Sequence, residues 1–469
     1  MGALHQDTIC AIATPVGEGG IGVLRLSGEK AVEVASTLVR LRSGRPLTDA
    51  RSHLLNHADI LDPAGSAVPL DEALVVVMRT PHSYTGEDVV EIHAHGSPLV
   101  LQAVCEAMLH KGARLADPGE FTKRAFLNGR LDLTQAEAVL DTIRSKTSAS
   151  LRLAQEQLRG ALSRELDRCR EALVSLLAHV EAAIDFADED ITFIQRGELL
   201  GGLGQTRQAI ARLIESSREG RILREGVTAA IVGRPNVGKS SLLNALLRAD
   251  RAIVTPVPGT TRDVLEEVLN IRGVPVRLVD TAGLRSTADP VEQEGVKRSR
   301  AAMDQAELLV IVLDGSCPLA DEDRSLVTEH RDKKRLVVVN KMDLPRRIEH
   351  AVIQGLLEEA PGEAATFVHI SAKQAEGLDA LRDALRAMVL RADFEPGEGA
   401  LVTRLRHRDA LARAKEALEQ ASGSVEAGLS GEFVAMDLRA AIDALGEITG
   451  AVTTDDILDR IFRDFCIGK

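Results

Sequence analysis

Hydrophobic and polar residues alternate in three different ways along this chain of 469 residues. In the first part, short β-branched runs separated by turns predict three strands, at 8–13, 21–26 and 73–78. Apolar residues at helical spacing predict two helices among them, at 31–39 and 98–111. We therefore expect residues 1–120 to form an α+β domain.

Long amphipathic helices replace this pattern after residue 120. The segment Thr134-Gln135-Ala136-Glu137 has the spacing of a capping box and predicts the start of a helix that continues through Ile143. Leucines recur at helical spacing between 158 and 177, and further helices are predicted at 401–421 and 433–445. We expect 121–225 and 393–469 to be the two parts of one helical domain.

Between these helical parts, apolar strands alternate with helical segments. The predicted strands lie at 227–232, 276–279, 308–313 and 336–339. This alternation is typical of a parallel α/β sheet. A domain at 226–392, inserted into a helical domain, explains the order of patterns more simply than four independent domains.

The composition narrows the class of protein. No run of about 18 apolar residues is present, so no membrane span is expected, and without a signal-like N-terminus we expect a cytoplasmic protein. The five cysteines are scattered without a C-x-x-C pair, so we expect neither a disulfide framework nor a zinc site, and most should be buried. A net charge of −13 argues against coating nucleic acid by charge alone, although local basic patches can hold a structured RNA.

Residues 233–240 carry the clearest chemical motif. They match G-x-x-x-x-G-K-[ST] between a predicted strand and a predicted helix, the context that a phosphate-binding loop requires. Lys239 should reach the β- and γ-phosphates, and Ser240 should ligate Mg²⁺. Asn236 leaves two alternatives open, since its amide can stabilise the turn or ligate a monovalent cation beside the phosphates.

Three later motifs specify the nucleotide. Asp280-Thr281-Ala282-Gly283 follows a strand and can hold Mg²⁺ and approach the γ-phosphate. In Asn340-Lys341-Met342-Asp343, the last carboxylate can accept hydrogen bonds from the N1–H and 2-amino groups of guanine, which adenine lacks. Ser371-Ala372-Lys373 could complete the base pocket. The four motifs in this order predict a site for GTP.

The residue that positions the attacking water is not obvious. Leu284 stands where Ras-like enzymes carry a glutamine, and an apolar side chain cannot orient water. The next segment supplies carboxylates, of which Glu292 and Glu294 are the candidates.

Other motif-like segments have simpler interpretations. The glycines at 17–22 match G-x-G-x-x-G, but a strand-like run follows them, so we expect a turn between strands. The final Cys466-Ile467-Gly468-Lys469 lacks the residues of a prenylation signal, and by position alone Cys466 is expected to be a buried thiol. The acidic patch at 185–191 is expected to be a solvated loop.

Taken together, the chain resembles the MnmE (TrmE) family of tRNA modification GTPases over nearly its whole length. The motifs that carry the resemblance are Asp7-Thr8-Ile9, Thr14-Pro15, Gly19-Gly20, Ser83-Tyr84-Thr85-Gly86-Glu87-Asp88, Pro118-Gly119-Glu120-Phe121, Arg124-Ala125-Phe126-Leu127-Asn128, the 185–191 patch, the nucleotide motifs and the last four residues.

The resemblance implies an N-terminal folate-binding domain that also mediates homodimer formation. After it in the sequence comes a helical domain into which a Ras-like G domain is inserted. The resemblance further implies a partner, the FAD-containing MnmG, in a heterotetramer or larger complex. The two proteins would add an aminomethyl or carboxymethylaminomethyl group to carbon 5 of the tRNA wobble uridine. The one-carbon donor would be a tetrahydrofolate derivative, 5-formyl- or 5,10-methylene-tetrahydrofolate.

The resemblance also implies roles for individual residues. K⁺ would be held by Asn236, Thr255, Val257 and Thr260, and Mg²⁺ by Ser240 and Thr261. GTP would further contact Val237, Gly238, Lys239, Ser241, Asp280, Thr281, Ala282, Gly283, Asn340, Lys341, Asp343, Ser371, Ala372 and Lys373. Folate would contact Arg25, Glu87, Arg130 and Lys469, where Arg130 replaces the lysine of many relatives. Glu292 would activate water, with Lys239 and Cys466 as the other functional side chains.

Two other functions fit part of the same pattern. A regulatory GTPase, for example one acting in ribosome assembly, shares the G motifs without a folate site. A folate-dependent one-carbon enzyme regulated by its GTPase is the third hypothesis.

Overall fold

The computed structural model describes residues 7–62, 66–186, 194–250, 267–279, 301–359, 361, 364–391, 394 and 399–469. Cα packing divides them into two compact units. The first contains the described residues up to Leu140 and the terminal segment Gly446–Lys469, and the second contains those from Asp141 to Leu445.

The first unit is built on a seven-stranded sheet with the order β3-β4-β5-β6-β2-β1-β7. Its strands are β1 (Ile9–Ile12), β2 (Gly19–Ser27), β3 (Val39–Leu41), β4 (Asn56–Ile60), β5 (Asp71–Met78), β6 (Val89–Gly96) and β7 (Arg114–Leu115). All neighbouring pairs are antiparallel except β1 and β7. Alternate side chains of the strands pack on helices α1 (Ala31–Ser36) and α2 (Pro98–His110), and α3 (Glu120–Leu127) follows.

The helix predicted at 31–39 is too long. It ends at Ser36, and Val39 already pairs with Ile60 in the sheet. Pairing with β4 buries Val39 and Leu41 on one face, so tertiary contacts override the local helical pattern. The turn expected at 17–22 is confirmed only at its start, because β2 already begins at Gly19. Gly22 lies inside the strand, where an added Cβ would come within 2.4 Å of Leu101 on α2.

The predicted capping box is wrong by two residues. Helix α4 (Leu133–Arg144) is capped by Asp132, whose Oδ1 accepts from the Gln135 N–H at 2.9 Å. The Gln135 side chain returns a bond to the Asp132 N–H at 3.0 Å. Thr134 instead donates its hydroxyl to Asp132 Oδ1. Asp132 supplies the same acceptor as a threonine, and this satisfies the free N–H groups of the first turn.

The second unit begins with helices α5 (Ser148–Leu158), α6 (Ala161–Asp185), α7 (Arg196–Glu215) and α8 (Ser217–Glu225). A six-stranded sheet follows, with the order β13-β12-β11-β8-β10-β9. Its strands are β8 (Val227–Val232), β9 (Glu267–Ile271), β10 (Val274–Leu278), β11 (Leu308–Asp314), β12 (Lys334–Asn340) and β13 (Ala364–His369). The parallel prediction is confirmed except for β9, which pairs antiparallel with β10 through a tight hairpin.

Helices α9 (Lys239–Asp250), α10 (Asp321–Glu329), α11 (His350–Glu359) and α12 (Leu378–Val389) accompany this sheet. Its strands are buried on both faces, in two apolar clusters. The chain ends with α13 (Leu405–Glu426), α14 (Gly431–Thr449) and α15 (Asp455–Phe462), so the helix predicted at 401–421 begins and ends later than expected.

The terminal segment belongs to the core of the first unit. Leu458, Phe462 and Phe465 pack with Leu133 and Ala136. Among the described helices, none has the length and apolar composition needed to cross a bilayer. Three cysteines are buried as expected, but Cys317 and Cys466 are exposed, so the interpretation of Cys466 as a buried thiol is wrong.

Candidate functional site

The phosphate-loop motif connects β8 directly to α9. Gly233 has φ +146° and Gly238 has φ +103°, values that favour glycine. A Cβ at Gly233 would lie 2.4 Å from the Val312 carbonyl oxygen, and one at Gly238 would lie 2.2 Å from Asn340 Nδ2. Close packing and backbone conformation therefore both require glycine at these two positions.

Lys239 lies inside the loop. Its Nζ donates to the carbonyl oxygens of Gly233 at 2.7 Å and Arg234 at 2.8 Å. Burial lowers the pKa of this ammonium. A phosphate entering the loop would offer Lys239 stronger, charged acceptors than these carbonyls. Ser240 and Ser241 follow in the first turn of α9, where the helix dipole favours an anion.

Asn340 connects the phosphate loop to the base-binding loops. Its Nδ2 donates to the Val237 carbonyl at 2.9 Å, and its Oδ1 accepts from the Ala372 N–H at 3.0 Å. The side chain is buried, so both polar ends are satisfied by backbone. One amide of the third motif thus joins the first motif to the fourth.

Asp343, the residue predicted to bind guanine, is hydrogen-bonded to one of its predicted partners. The Ser371 hydroxyl donates to Asp343 Oδ1 at 2.7 Å, and this bond lowers the pKa of the carboxyl, which therefore stays ionised at neutral pH. Lys341 Nζ contacts Asp314 Oδ2 at 2.6 Å. Burial alone would raise the pKa of Asp314, but Lys341 and Ser316 outweigh it and lower that pKa.

Asn236 adopts the left-handed conformation, with φ +63°. Asparagine tolerates this region better than other non-glycine residues. Its amide makes no hydrogen bond to any part of the chain that the structure describes. The Asn236 side chain is exposed, so a ligand of the phosphate loop can approach it from solvent.

Several predicted site residues lie outside the described residues. They are Thr255, Val257, Thr260, Thr261, Asp280, Thr281, Ala282, Gly283, Leu284, Glu292 and Glu294, and most of the 185–191 patch lies there as well.

Sequence patterns missed one ion pair of the phosphate loop. Arg234 forms two bonds with Asp323, the first-turn residue of α10 whose carboxylate also accepts from the Ala320 N–H. Arg234 is a variable position of the motif, and its partner lies 89 residues away, so no local signal pointed to it.

The residues expected to bind folate gather around the 83–88 loop in the first unit. Arg25 forms an ion pair with Glu91 at 2.7 Å, and its guanidinium lies 5.6 Å from the ring centres of both Tyr84 and Phe121. Its Nη1 also donates to the Gly468 carbonyl at 3.3 Å. Arg25 thus connects β2 to the terminal tail.

Glu87 belongs to the 83–88 loop, and Arg130 contacts this loop. Glu87 Oε2 accepts from the Ser27 hydroxyl at 2.7 Å, and Arg130 Nε donates to the Ser83 carbonyl at 3.1 Å. Glu87 also contacts Arg124 at 3.3 Å. The residues fit a ligand that presents both donors and carboxylates, since they offer a carboxylate, guanidinium groups and aromatic faces.

Lys469 and Cys466 belong to the terminal tail, which the first unit holds through backbone contacts at Gly468 and Cys466. Gly468 is buried with φ +96°, where a Cβ would lie 2.6 Å from the Ile12 carbonyl oxygen. Burial and then the charge of Arg25 lower the pKa of Lys469. The Cys466 carbonyl accepts from the Gly119 N–H at 3.4 Å, while its thiol side is exposed.

A glycine loop between strand and helix, with a half-buried lysine inside it and Asn340 bonded to it, is the arrangement of a P-loop GTPase. Two family models match the chain: "GTP-binding protein TrmE N-terminus" at residues 8–130 and "MnmE helical domain" at residues 133–466. The chain belongs to the MnmE family of tRNA modification GTPases. It hydrolyses GTP and acts in tRNA modification.

Relatives match from end to end. The chain is 49% identical over 467 residues to the tRNA modification GTPase MnmE of Symbiobacterium thermophilum, covering 99% of this chain and all of the relative. It is 48% identical over 469 residues to that of Heliobacterium modesticaldum, covering 99% of each chain. The solved G domain of T. maritima FeoB covers 35% of this chain and 99% of its own at 26% identity, with a TM-score of 0.26, too low to add to the assignment.

Proposed function

We propose that GTP hydrolysis by this protein is stimulated by K⁺ and drives modification of carbon 5 of the tRNA wobble uridine. The observation that carries the cation proposal is Asn236, left-handed in the phosphate loop with an amide that no described residue engages. A K⁺ ion there would neutralise charge developing between the β- and γ-phosphates. Thr255, Val257 and Thr260 would supply its remaining oxygens, and Mg²⁺ would bind Ser240 and Thr261.

The cation proposal is tested by GTP turnover in K⁺ and in Na⁺ at equal ionic strength. The wild-type rate should be many-fold higher in K⁺, and Asn236→Ala should abolish the difference while GDP still binds. Asn244→Ala on α9 makes the same chemical change away from the loop and should retain it. Equal wild-type rates in the two salts would contradict the proposal.

Glu292 is proposed to activate the attacking water, because Leu284 cannot. Glu292→Ala should retain GTP binding and lose most of the turnover, whereas Glu294→Ala should retain both. Normal turnover in the first variant and loss in the second would transfer the role to Glu294.

The first unit is proposed to bind a tetrahydrofolate derivative at the 83–88 loop, with Arg25, Glu87, Arg130 and Lys469 as contacts. Support comes from the contacts that gather Arg25, Glu87 and Arg130 around this loop and link Arg25 to the Gly468 carbonyl. Bound folate would supply the one-carbon unit. The exposed Cys466 is proposed as a further functional side chain, and the unit is proposed to form the homodimer.

Calorimetry with 5-formyl-tetrahydrofolate and the full chain tests the folate proposal. Binding should be lost in Arg25→Gln and retained in Arg40→Gln, an exposed arginine of the same sheet. A regulatory GTPase of ribosome assembly would show no binding even in the wild type. A one-carbon enzyme that is merely regulated by GTP would bind folate, but tRNA from cells lacking that enzyme would keep its normal modification.

The modification itself is proposed to need a second, FAD-containing protein, MnmG, in a heterotetramer or larger complex in the cytoplasm. Nucleoside analysis of tRNA from cells lacking this protein should show unmodified wobble uridine. Normal modification levels in such cells would overturn the assignment of the reaction.

A further inference from the structure

A cavity of about 350 Å³ lies in the second unit where helices α4, α5 and α8 meet strand β10. Its lining includes four cationic side chains, those of Arg144, Lys146, Arg224 and Arg277, against the carboxylates of Asp141 and Glu225. In a chain with a net charge of −13, a concave surface with excess positive charge is unexpected. Charge concentrated in a cleft raises the local potential more than the same charge on a flat surface.

The two carboxylates do not balance these cations. Asp141 is already shared by two arginines, since its Oδ1 accepts from Arg224 Nε at 2.9 Å and both oxygens accept from Arg404 at 3.0 Å. Glu225 contacts the other end of Arg224 at 2.7 Å. The cavity lining therefore holds four cations and two carboxylates, and both carboxylates are already bound to Arg224.

Arg277 is the least satisfied of these cations. Its Nε is buried and has no hydrogen-bond partner in the described part of the chain. The rest of the guanidinium makes no hydrogen bond or ion pair with the described residues either, and because the side chain lines the cavity, an anion there would give it acceptors. The neighbouring backbone is fixed, because the Thr147 hydroxyl donates to the Gly273 carbonyl at 2.8 Å and caps α5 through the Ser150 N–H. The arginine is therefore presented from a rigid hairpin.

We propose that this cavity binds a phosphate group, with Arg277 as its central contact and Arg144, Lys146 and Arg224 around it. Guanidinium groups match phosphate oxygens with paired N–H donors. The volume accommodates one or two phosphates. The source that the activity of this protein makes relevant is a backbone phosphodiester of tRNA, and a free phosphate compound is the other source of the same chemistry.

The first experiment isolates the phosphate chemistry. Inorganic pyrophosphate is titrated calorimetrically into the full chain saturated with GDP and Mg²⁺, so that the phosphate loop is already occupied. Wild-type protein should bind it, and Arg277→Gln should weaken binding about tenfold, as expected for a lost charged hydrogen bond. Arg272→Gln lies on the same hairpin but pairs with Asp379 and Asp383 outside the cavity, so it should bind as the wild type does.

The second experiment distinguishes the sources. Affinity for unmodified tRNA is measured at several salt concentrations, and Arg277→Gln should lower it and reduce the logarithmic salt slope by about 0.9, one phosphate contact. Pyrophosphate binding without a tRNA effect would assign the site to a free phosphate compound. Absence of pyrophosphate binding in the wild type, or equal binding in Arg277→Gln, would overturn the proposal.

Thermal unfolding and GDP affinity check that Arg277→Gln is folded. If it is not, the double substitution Arg144→Gln, Lys146→Gln replaces it, because both side chains are exposed and tolerate change. The same losses are expected, and unchanged pyrophosphate binding in the double variant would equally overturn the proposal.

Discussion

Arg234 in the phosphate loop and Asp323 in α10 form a two-point ion pair, Nε to Oδ1 at 2.8 Å and Nη2 to Oδ2 at 2.8 Å. Only 1% of the Asp323 side chain is exposed, against 27% for Arg234. The Arg234 backbone carbonyl also accepts from Lys239. The pair therefore fixes the segment of the loop on which the lysine rests.

This unequal burial predicts unequal effects of substitution. Arg234→Gln leaves a buried carboxylate unpaired and should cost about 3 kcal/mol, whereas Asp323→Asn leaves an arginine that can reach water and should cost less. GDP affinity should fall in the same order. The double variant should bind GDP more tightly than Arg234→Gln alone, because no unpaired buried charge remains. Simply additive losses in GDP titrations would show that the two residues act independently.

The two hydrogen bonds of the Asn340 amide should support GDP binding. Asn340→Ala removes both the donor to Val237 and the acceptor for Ala372, and it should weaken GDP binding about a hundredfold, about 1.4 kcal/mol for each bond. Asn340→Asp keeps the acceptor for Ala372 but places a buried carboxylate oxygen against the Val237 carbonyl, so it should bind GDP at least as weakly as Asn340→Ala. Titration of a fluorescent GDP derivative gives the three values. An aspartate variant that binds GDP as tightly as the wild type does would show that the Val237 bond does not support the site.

Asp343 should determine which base is bound. In Asp343→Asn the amide can still accept from the Ser371 hydroxyl, but its NH₂ group faces the donors of guanine. GTP affinity should fall at least about a hundredfold, while xanthosine triphosphate, with a carbonyl at carbon 2, should bind better than GTP. Competition between the two nucleotides measures this. Retained preference for GTP would show that other contacts select the base.

A charged cluster makes the first unit sensitive to acid. Glu120 is buried and contacts Arg114 at 2.6 Å and Arg124 at 2.9 Å. Burial alone would raise its pKa, but the bonds from Arg114, the Asp117 N–H and Arg124 outweigh this and hold the pKa below its usual 4.5. Asp7, which contacts both arginines, also has a lowered pKa, despite the opposing effect of burial.

The sign of the pH dependence follows from these lowered pKa values. The stabilisation is complete above the unfolded-state pKa, the usual 4.5, and is lost as pH falls through the lower native pKa. Glu120→Gln should therefore be less stable than wild type at pH 7, with a difference that shrinks below about pH 4. Unfolding followed by circular dichroism from pH 7 to 2 checks this. A constant difference across that range would exclude a linked proton at Glu120.

Sequence patterns correctly predicted those helices and strands whose formation depends on residues that are close together in the sequence. Residues 227–232 are a strand in the structure as predicted, because an apolar β-branched run before a glycine loop has few alternatives. Strand β3, at the end of the first predicted helix, was missed. It forms because Val39 pairs in the sheet with Ile60, twenty-one residues away. Edge strand β9 was missed for the same reason, since it depends on its hairpin partner.

Residue types at fixed spacing predict the glycine loop with its lysine, a carboxylate for guanine and the family resemblance. Packing of strands and helices places distant residues beside these motifs. Arg234 meets Asp323, Asn340 joins Val237 to Ala372, and Arg277 faces a cavity lined from three helices. Such contacts join residues that are far apart in sequence. They depend on how strands and helices pack, and the local spacing of residue types does not specify this packing.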